Sequence, residues 1–221
     1  MSMEQGFRIE VVIHAPRDLV WRALTDPEEI VRWFGWDYEG IEPEIRQIFV
    51  DEVTTTPPER LAMAWEQTIE LIADGDRTIL RIVKPGPLAE ASWDDLYDEM
   101  VRGWHGFFLQ FKHYLERHPG EARRTLWFDG TALPSAVLAA LDAEAPGVDW
   151  LHIRHQRVAA VDAYGGGLLA VLSAPPLDSD TPGTVQITMT THGLDDKQFA
   201  ALREHWAERW EALAPGGSVT P

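Results

Sequence analysis

Residues 92–115, SWDDLYDEMVRGWHGFFLQFKHYL, read as one long helix, and an expensive one. Gly103 and Gly106 stand in its interior, each unfavourable by about 1 kcal/mol relative to alanine. Trp104, Phe107, Phe108 and Phe111 surround them. A chain that keeps such a helix must lay an aromatic stripe against a broad apolar surface, with something apolar close to the helix backbone. Ser92 is the expected N-cap, with Asp95 three residues on.

Strands supply that surface. Phe7, Ile9, Val11 and Ile13 alternate with Arg8, Glu10 and His14, the period-2 pattern of a half-buried strand. Pro16 then opens a short helix lined by Leu19, Val20, Ala23 and Leu24. TDPEE (25–29) restarts helix, with Asp26 as cap, Pro27 at the first position and two glutamates in the first turn. Ile30, Trp33 and Phe34 form its apolar face, and Trp21 and Trp33 are expected to pack the two helices together. Ile45, Gln47 and Phe49 alternate with Arg46, Ile48 and Val50, which predicts a strand. Leu61, Met63, Trp65, Gln67, Ile69 and Leu71 share one face of a further strand, and DG at 74–75 turns that run back into Thr78–Val83.

Beyond Pro119 the order recurs in shortened form. RRTLWF (123–128) reads as a strand and LPSAVLAALDA (133–143) as a short helix starting at a proline. Strand-like runs follow near 149–154, 157–163, 167–174 and 184–191. Asp195 with Gln198 makes a capping box for a last helix. Tyr97, Met100, Trp104, Phe108 and Phe111 are spaced 3, 4, 4, 3, and so are Phe199, Leu202, Trp206, Trp210 and Leu213. The shared spacing and element order point to an internal duplication. The expected domains are residues 1–119 and a truncated second lobe, 120–221.

Charge and composition narrow the function classes. A net charge of −17 over 221 residues repels phosphate backbones and anionic headgroups, so neither nucleic acid nor membrane is expected as a partner. With no cysteine, disulfides and thiolate chemistry are excluded. The opening MSMEQGFRIE has neither a basic n-region nor an apolar h-region, and no apolar run reaches membrane-span length, so a soluble, cytoplasmic protein is expected. No cofactor or metal site is expected. HIRH (152–155) places its histidines on opposite faces of a strand, and GGG (165–167) reads as a turn without the lysine of a phosphate loop. The acidic pairs at 94–95 and 195–196 sit in first helical turns, where capping and the helix dipole account for them.

The stretch IEVVIHAPRDLVWRALTDPEEIVRWF (9–34) resembles the opening of the SRPBCC, or START-like, superfamily, nearest to its heat-shock-protein-90 ATPase activator homologue branch. The matching positions are Ala15, Pro16, Val20, Trp21, Leu24, Thr25, Asp26, Pro27 and Trp33. Gly103, Trp104, Phe108 and Leu115 fit the family's last helix. The resemblance covers roughly residues 7–118 and implies an α+β helix-grip fold, a curved antiparallel sheet around a long C-terminal helix with an apolar cavity between them. FGWDYEGIEPEI stands where the family commonly has a glycine-rich strand, and the interval from Trp36 to Lys84 is short for its middle strands. Both bear on cavity size.

Within such a cavity the expected ligand-binding residues are Trp65, Gln67, Arg81, Trp104, Phe108 and Phe111. Gln67 interrupts an apolar face, or else marks where the strand bends or breaks into two and leaves it at the rim, and Arg81 shares a face with Ile79 and Val83. Arg102 and His105 flank the Trp104 stripe. The leading expectation is a protein that holds a small hydrophobic molecule without chemistry of its own, and no catalytic residue is assigned. One alternative, implied by the resemblance, is a polyketide cyclase- or aromatase-like enzyme using His105 or Arg81 for proton transfer. The other is a chaperone-type interaction protein, in which the shortened lobe covers the first or pairs two chains as a homodimer.

Overall fold

The computed structural model describes residues 6–86 and 99–221, the side chains of Trp65, Glu99 and Met100 excepted. Ser92, Asp95 and Tyr97 therefore lie outside the described residues. The chain forms two compact units, the first closing at Gly120 and the second running from Glu121 and taking in Trp36–Tyr38. Each is an antiparallel sheet with a long helix, and the architecture is α+β.

The first unit opens with β1 (Phe7–Ile13), whose alternate residues are buried as the period-2 pattern requires. Helices α1 (Arg17–Thr25) and α2 (Pro27–Ile30) follow. Asp26 caps α2 by accepting a hydrogen bond from the Glu28 amide. The Trp33 indole donates to the Ala23 carbonyl at 2.9 Å, which ties the turn after α2 to α1. Next come α3 (Ile41–Arg46), a π-helical turn at Gln47–Asp51, and the strands β2 (Thr54–Thr56), β3 (Arg60–Ala62), β4 (Thr68–Asp74) and β5 (Arg77–Lys84). Gly75, with φ +66°, turns β4 into β5. The sheet order is β1-β5-β4-β3-β2. Helix α4 (Glu99–Arg117) lies along β1, where Lys112 donates to the Val12 carbonyl and Glu116 accepts from the His14 amide.

One expected strand is a helix. Ile45 and Phe49 are both buried, but on α3 and the π turn. A four-residue interval is two strand periods and also about one helical turn, so the apolar pattern there fits either conformation. The helical solution lets Phe49 meet Trp33 and Phe34 edge-on, with ring centroids 5.7 and 5.2 Å apart.

The second unit contains β6 (Arg123–Ala132), α5 (Pro134–Glu144), β7 (Gly147–Ile153), β8 (Gln156–Val161), the one-turn α6 (Ala163–Gly166), β9 (Leu168–Ser173), β10 (Gly183–His192), α7 (Asp196–Leu213) and β11 (Ser218–Thr220). Its sheet runs β11-β6-β10-β9-β8-β7. Leaving out β11, each strand occupies the place of the strand five earlier in the first unit. Among the described residues the two lobes thus share one strand order, and the second, shorter in chain, lacks no strand of the first. Asp195 and Gln198 form the expected capping box on α7. Gly165, with φ +75°, is required, since a Cβ there would come within 1.9 Å of the His192 carbonyl oxygen. Asp37 joins this unit by exchanging two hydrogen bonds with Thr125, and Trp36 stacks on Trp127 with ring centroids 4.0 Å apart.

Candidate ligand-binding site

A cavity of about 450 Å³ opens in the first unit beside the N-terminal half of α4. Gly103, Trp104 and Phe107 line it from the helix, and Phe34 from the turn after α2. The α3 segment and the π turn contribute Glu44, Gln47, Ile48 and Glu52. Met63, Ala64 and Gln67 close the remaining side, from the break between β3 and β4. Aromatic faces and aliphatic side chains form most of the wall, with a few polar groups among them, as small-molecule pockets generally show.

Two backbone irregularities and one helical glycine converge on this space. The π turn at Gln47–Asp51 inserts an extra residue per turn and swings Gln47 and Ile48 toward the cavity. Such turns recur at functional sites. The strand run from Leu61 to Leu71 breaks in two at a 3-10 turn, Ala64–Glu66, directly before Gln67. Glu66 there adopts φ +61°, a left-handed conformation that is unfavourable for a residue with a side chain. Gln67 follows the turn and is 2% exposed. The third feature is Gly103, in the N-terminal half of α4. A Cβ built on it would meet only the Phe107 ring, at an ordinary 3.8 Å. Among the described residues, no atom comes close enough to Gly103 to demand glycine there.

The expected site residues divide sharply. Gln67 and Trp104 line the cavity. Phe108 and Phe111 lie about one and two helical turns beyond Trp104, fully buried in packed core: Phe108 stacks on Trp104 at 5.2 Å between centroids, and Phe111 packs at a tilt against Trp33 at 4.5 Å. Trp65 belongs to the 3-10 turn, and its side chain lies outside the described residues. Arg81 is on the other face of the sheet. Its guanidinium pairs with Glu10 at 2.5 Å and Glu70 at 3.3 Å, the two residues directly opposite it in the flanking strands. Hydrogen bonds from Arg8 and then Arg81 hold the Glu10 carboxyl below its usual range. His105 is not among the residues lining the cavity, and burial lowers its pKa to about 4, so its imidazole is neutral at pH 7. The cyclase-like reading asked one of these two side chains to enter the cavity, and neither lines it.

Sequence reasoning passed over Phe34, Glu44, Gln47, Ile48, Glu52, Met63, Ala64 and Phe107 as wall residues. Four of these sit on the segment mistaken for strand or just beyond it. The signal that could have found them is helical spacing through Ile41, Ile45 and Phe49, with Glu44 and Ile48 on the neighbouring stripe.

In the second unit the corresponding space between sheet and helix is occupied by side chains. Phe128 meets Trp206 and Trp210 edge-on, with centroids 6.1 and 5.5 Å apart. Trp210 is so closely held that a Cβ on Gly217 would fall 2.6 Å from its indole nitrogen. An open depression of about 420 Å³ lies along α7 instead, beside Arg124. That cation is already engaged, over the Phe199 ring at 3.9 Å and with Asp196 at 2.8 Å.

Among the described residues, no helix is long and apolar enough to cross a membrane. No model of a known protein family matches the chain, and no curated protein matches it. Solved structures similar to it include CalU16 from Micromonospora echinospora, 22% identical over 52% of this chain and 68% of that one, with a TM-score of 0.38. DynU16, from the dynemicin biosynthetic locus, is 20% identical over 94% of this chain and 95% of its own, also with a TM-score of 0.38. The Aha1 dimer protein from Colwellia psychrerythraea is 16% identical over 52% of this chain and 98% of its own, with a TM-score of 0.36.

Proposed function

We propose that the first unit is a binding module that holds one small, largely apolar molecule between α4 and the β3–β4 break. Gly103 carries this reading. It forgoes about 1 kcal/mol of helix stability, it lines the cavity, and among the described residues a Cβ there would meet only the Phe107 ring, at an ordinary distance. An occupant is what gains from that space. The cavity volume lies in the range of small-molecule sites, on the order of 300–1,000 Å³. The second unit, with the same strand order and its grip filled by Trp206 and Trp210, reads as a duplicated copy that kept the fold and gave up the space.

Native mass spectrometry before and after organic extraction tests the proposal. A discrete small-molecule mass is expected on wild-type protein and not on Gly103→Leu. A bare polypeptide that also fails to bind 2-naphthylmethanol in a tryptophan-fluorescence titration contradicts it.

A further inference from the structure

Independently of the binding reading, we infer that a second copy of this chain docks on the outer face of the first unit's sheet in a symmetric pair. Phe7, Ile9, Val11 and Ile13 of β1 are buried, so the alternate residues Arg8, Glu10 and Val12 face outward. The strand register carries that face across the sheet in three rows. One row is wholly aliphatic: Val12, 39% exposed, then Ile79 and Ile72, both half-buried. The middle row is Glu10, Arg81, Glu70 and Arg60, and the third is Arg8, Val83, Thr68 and Ala62.

From β1 to β3 the middle row alternates in charge: negative, positive, negative, positive. A two-fold contact turns one surface onto itself. With the axis along the strands, between β5 and β4, the row meets its own reverse. Glu10 then stands opposite Arg60 of the second copy, and Arg81 opposite Glu70 of the second copy, so all four positions face opposite charge. The same reversal lays Ile79 on Ile72 of the second copy, as in aligned sheet packing. The row keeps bonding capacity for this. Arg8 and Arg81 both donate to the same oxygen of Glu10, Oε1. Arg81 uses Nε on Glu10 and Nη1 on Glu70, which accepts on Oε2. Arg60 is exposed and makes no ion pair among the described residues. Three arginines and two glutamates give the three rows a net charge of +1, against −17 for the whole chain, so the acidic excess that repels a second copy is missing from this face.

Sedimentation velocity on the full chain at pH 7, from about 5 to about 500 µM, tests the pairing across the range of weak association. Wild type is expected in monomer–dimer equilibrium. Arg60→Glu sets a carboxylate against Glu10 at both symmetry-related contacts and should weaken the dimer at least about tenfold, and Glu10→Lys should do the same. In an equimolar mixture of the two variants each charge again meets its opposite, and the dimer should return to within about threefold of wild type. A wild-type chain that stays monomeric overturns the inference, whatever else covers the face. A dimer that Arg60→Glu leaves intact also overturns it, and so do two folded variants that fail to recover on mixing. Where Glu10→Lys does not fold, Arg60→Glu at an unchanged urea midpoint carries the test by itself.

Discussion

At Gly103 helix stability and the proposed binding make opposite demands, and substituting it separates them. Alanine there removes the conformational freedom of glycine and brings one methyl group to 3.8 Å from Phe107, within ordinary contact. A gain of about 0.5–1 kcal/mol in unfolding free energy is expected. Leucine adds three further carbons, which enter the cavity. At about 0.8 kcal/mol per buried carbon, less roughly 0.5–1 kcal/mol of side-chain entropy, Gly103→Leu should stabilise by about 2 kcal/mol in all. Urea unfolding at pH 7 reads this directly as a shifted midpoint at unchanged slope. In the same proteins, binding of 2-naphthylmethanol should weaken from wild type to alanine and vanish in leucine. Stability that rises while binding falls marks space kept for an occupant. If Gly103→Leu instead costs about 1–3 kcal/mol, the position is closely packed, and the reasoning from its missing side chain is refuted.

Three other perturbations have defined outcomes. Arg81→Met should change stability by less than about 1 kcal/mol and leave probe binding intact; reduced binding by fluorescence titration would return Arg81 to the site. His105 titrates near pH 4 in the folded chain and near 6.5 when unfolded. As pH falls through that window the unfolded chain takes up a proton that the folded chain refuses, so stability drops by up to about 3 kcal/mol. Urea midpoints at pH 7, 6, 5 and 4.5 should show this decline, and His105→Gln should flatten it. The buried Tyr114 hydroxyl donates to Glu29 and accepts from the Gly120 amide, which binds the end of α4 to α2. Tyr114→Phe leaves both partners short and should cost about 1–3 kcal/mol, measured by thermal or urea unfolding.

Much of the fold is legible because local signals agree with it. The alternation in Phe7–Ile13, the Asp26 cap, the turn at Gly75 and the Asp195–Gln198 box each describe chemistry that acts within a few residues, and each stands where the pattern puts it. The recurring element order after Pro119 likewise resolves into a second sheet of the same strand order. The site is less legible. Both faces of β5 are apolar, Ile79 and Val83 on one and Leu80 and Ile82 on the other, so alternation could not decide which way Arg81 points. The decision came from two carboxylates on neighbouring strands, Glu10 and Glu70, a pairing visible only in register. Ile45 and Phe49 satisfy helix and strand periods together, and reading them as strand hid four wall residues. Gln67 was recognised as an interruption, but whether it lay mid-strand or after a break depended on the turn at Ala64–Glu66.

The two lobes show how little must change for one fold to hold space or to fill it. In the first, Gly103 precedes Trp104 and leaves an opening beside it. In the second, Trp206 and Trp210 pack on Phe128 and the sheet. Of two stripes of equal spacing, one gives Trp104 to a cavity wall and Phe108 and Phe111 to packed core, while the other gives Trp206 and Trp210 to a closed core, and spacing alone does not tell them apart.

Whether the first unit holds a small molecule beside α4 is tested most directly by a ¹⁵N-resolved NMR titration with 2-naphthylmethanol. The expected shifts fall on the amides of Gln47, Ile48, Gln67, Gly103 and Trp104, saturate together, and are absent from the core of the second unit. Shifts confined to residues 121–221, or a spectrum that does not respond, would contradict a binding cavity in the first unit.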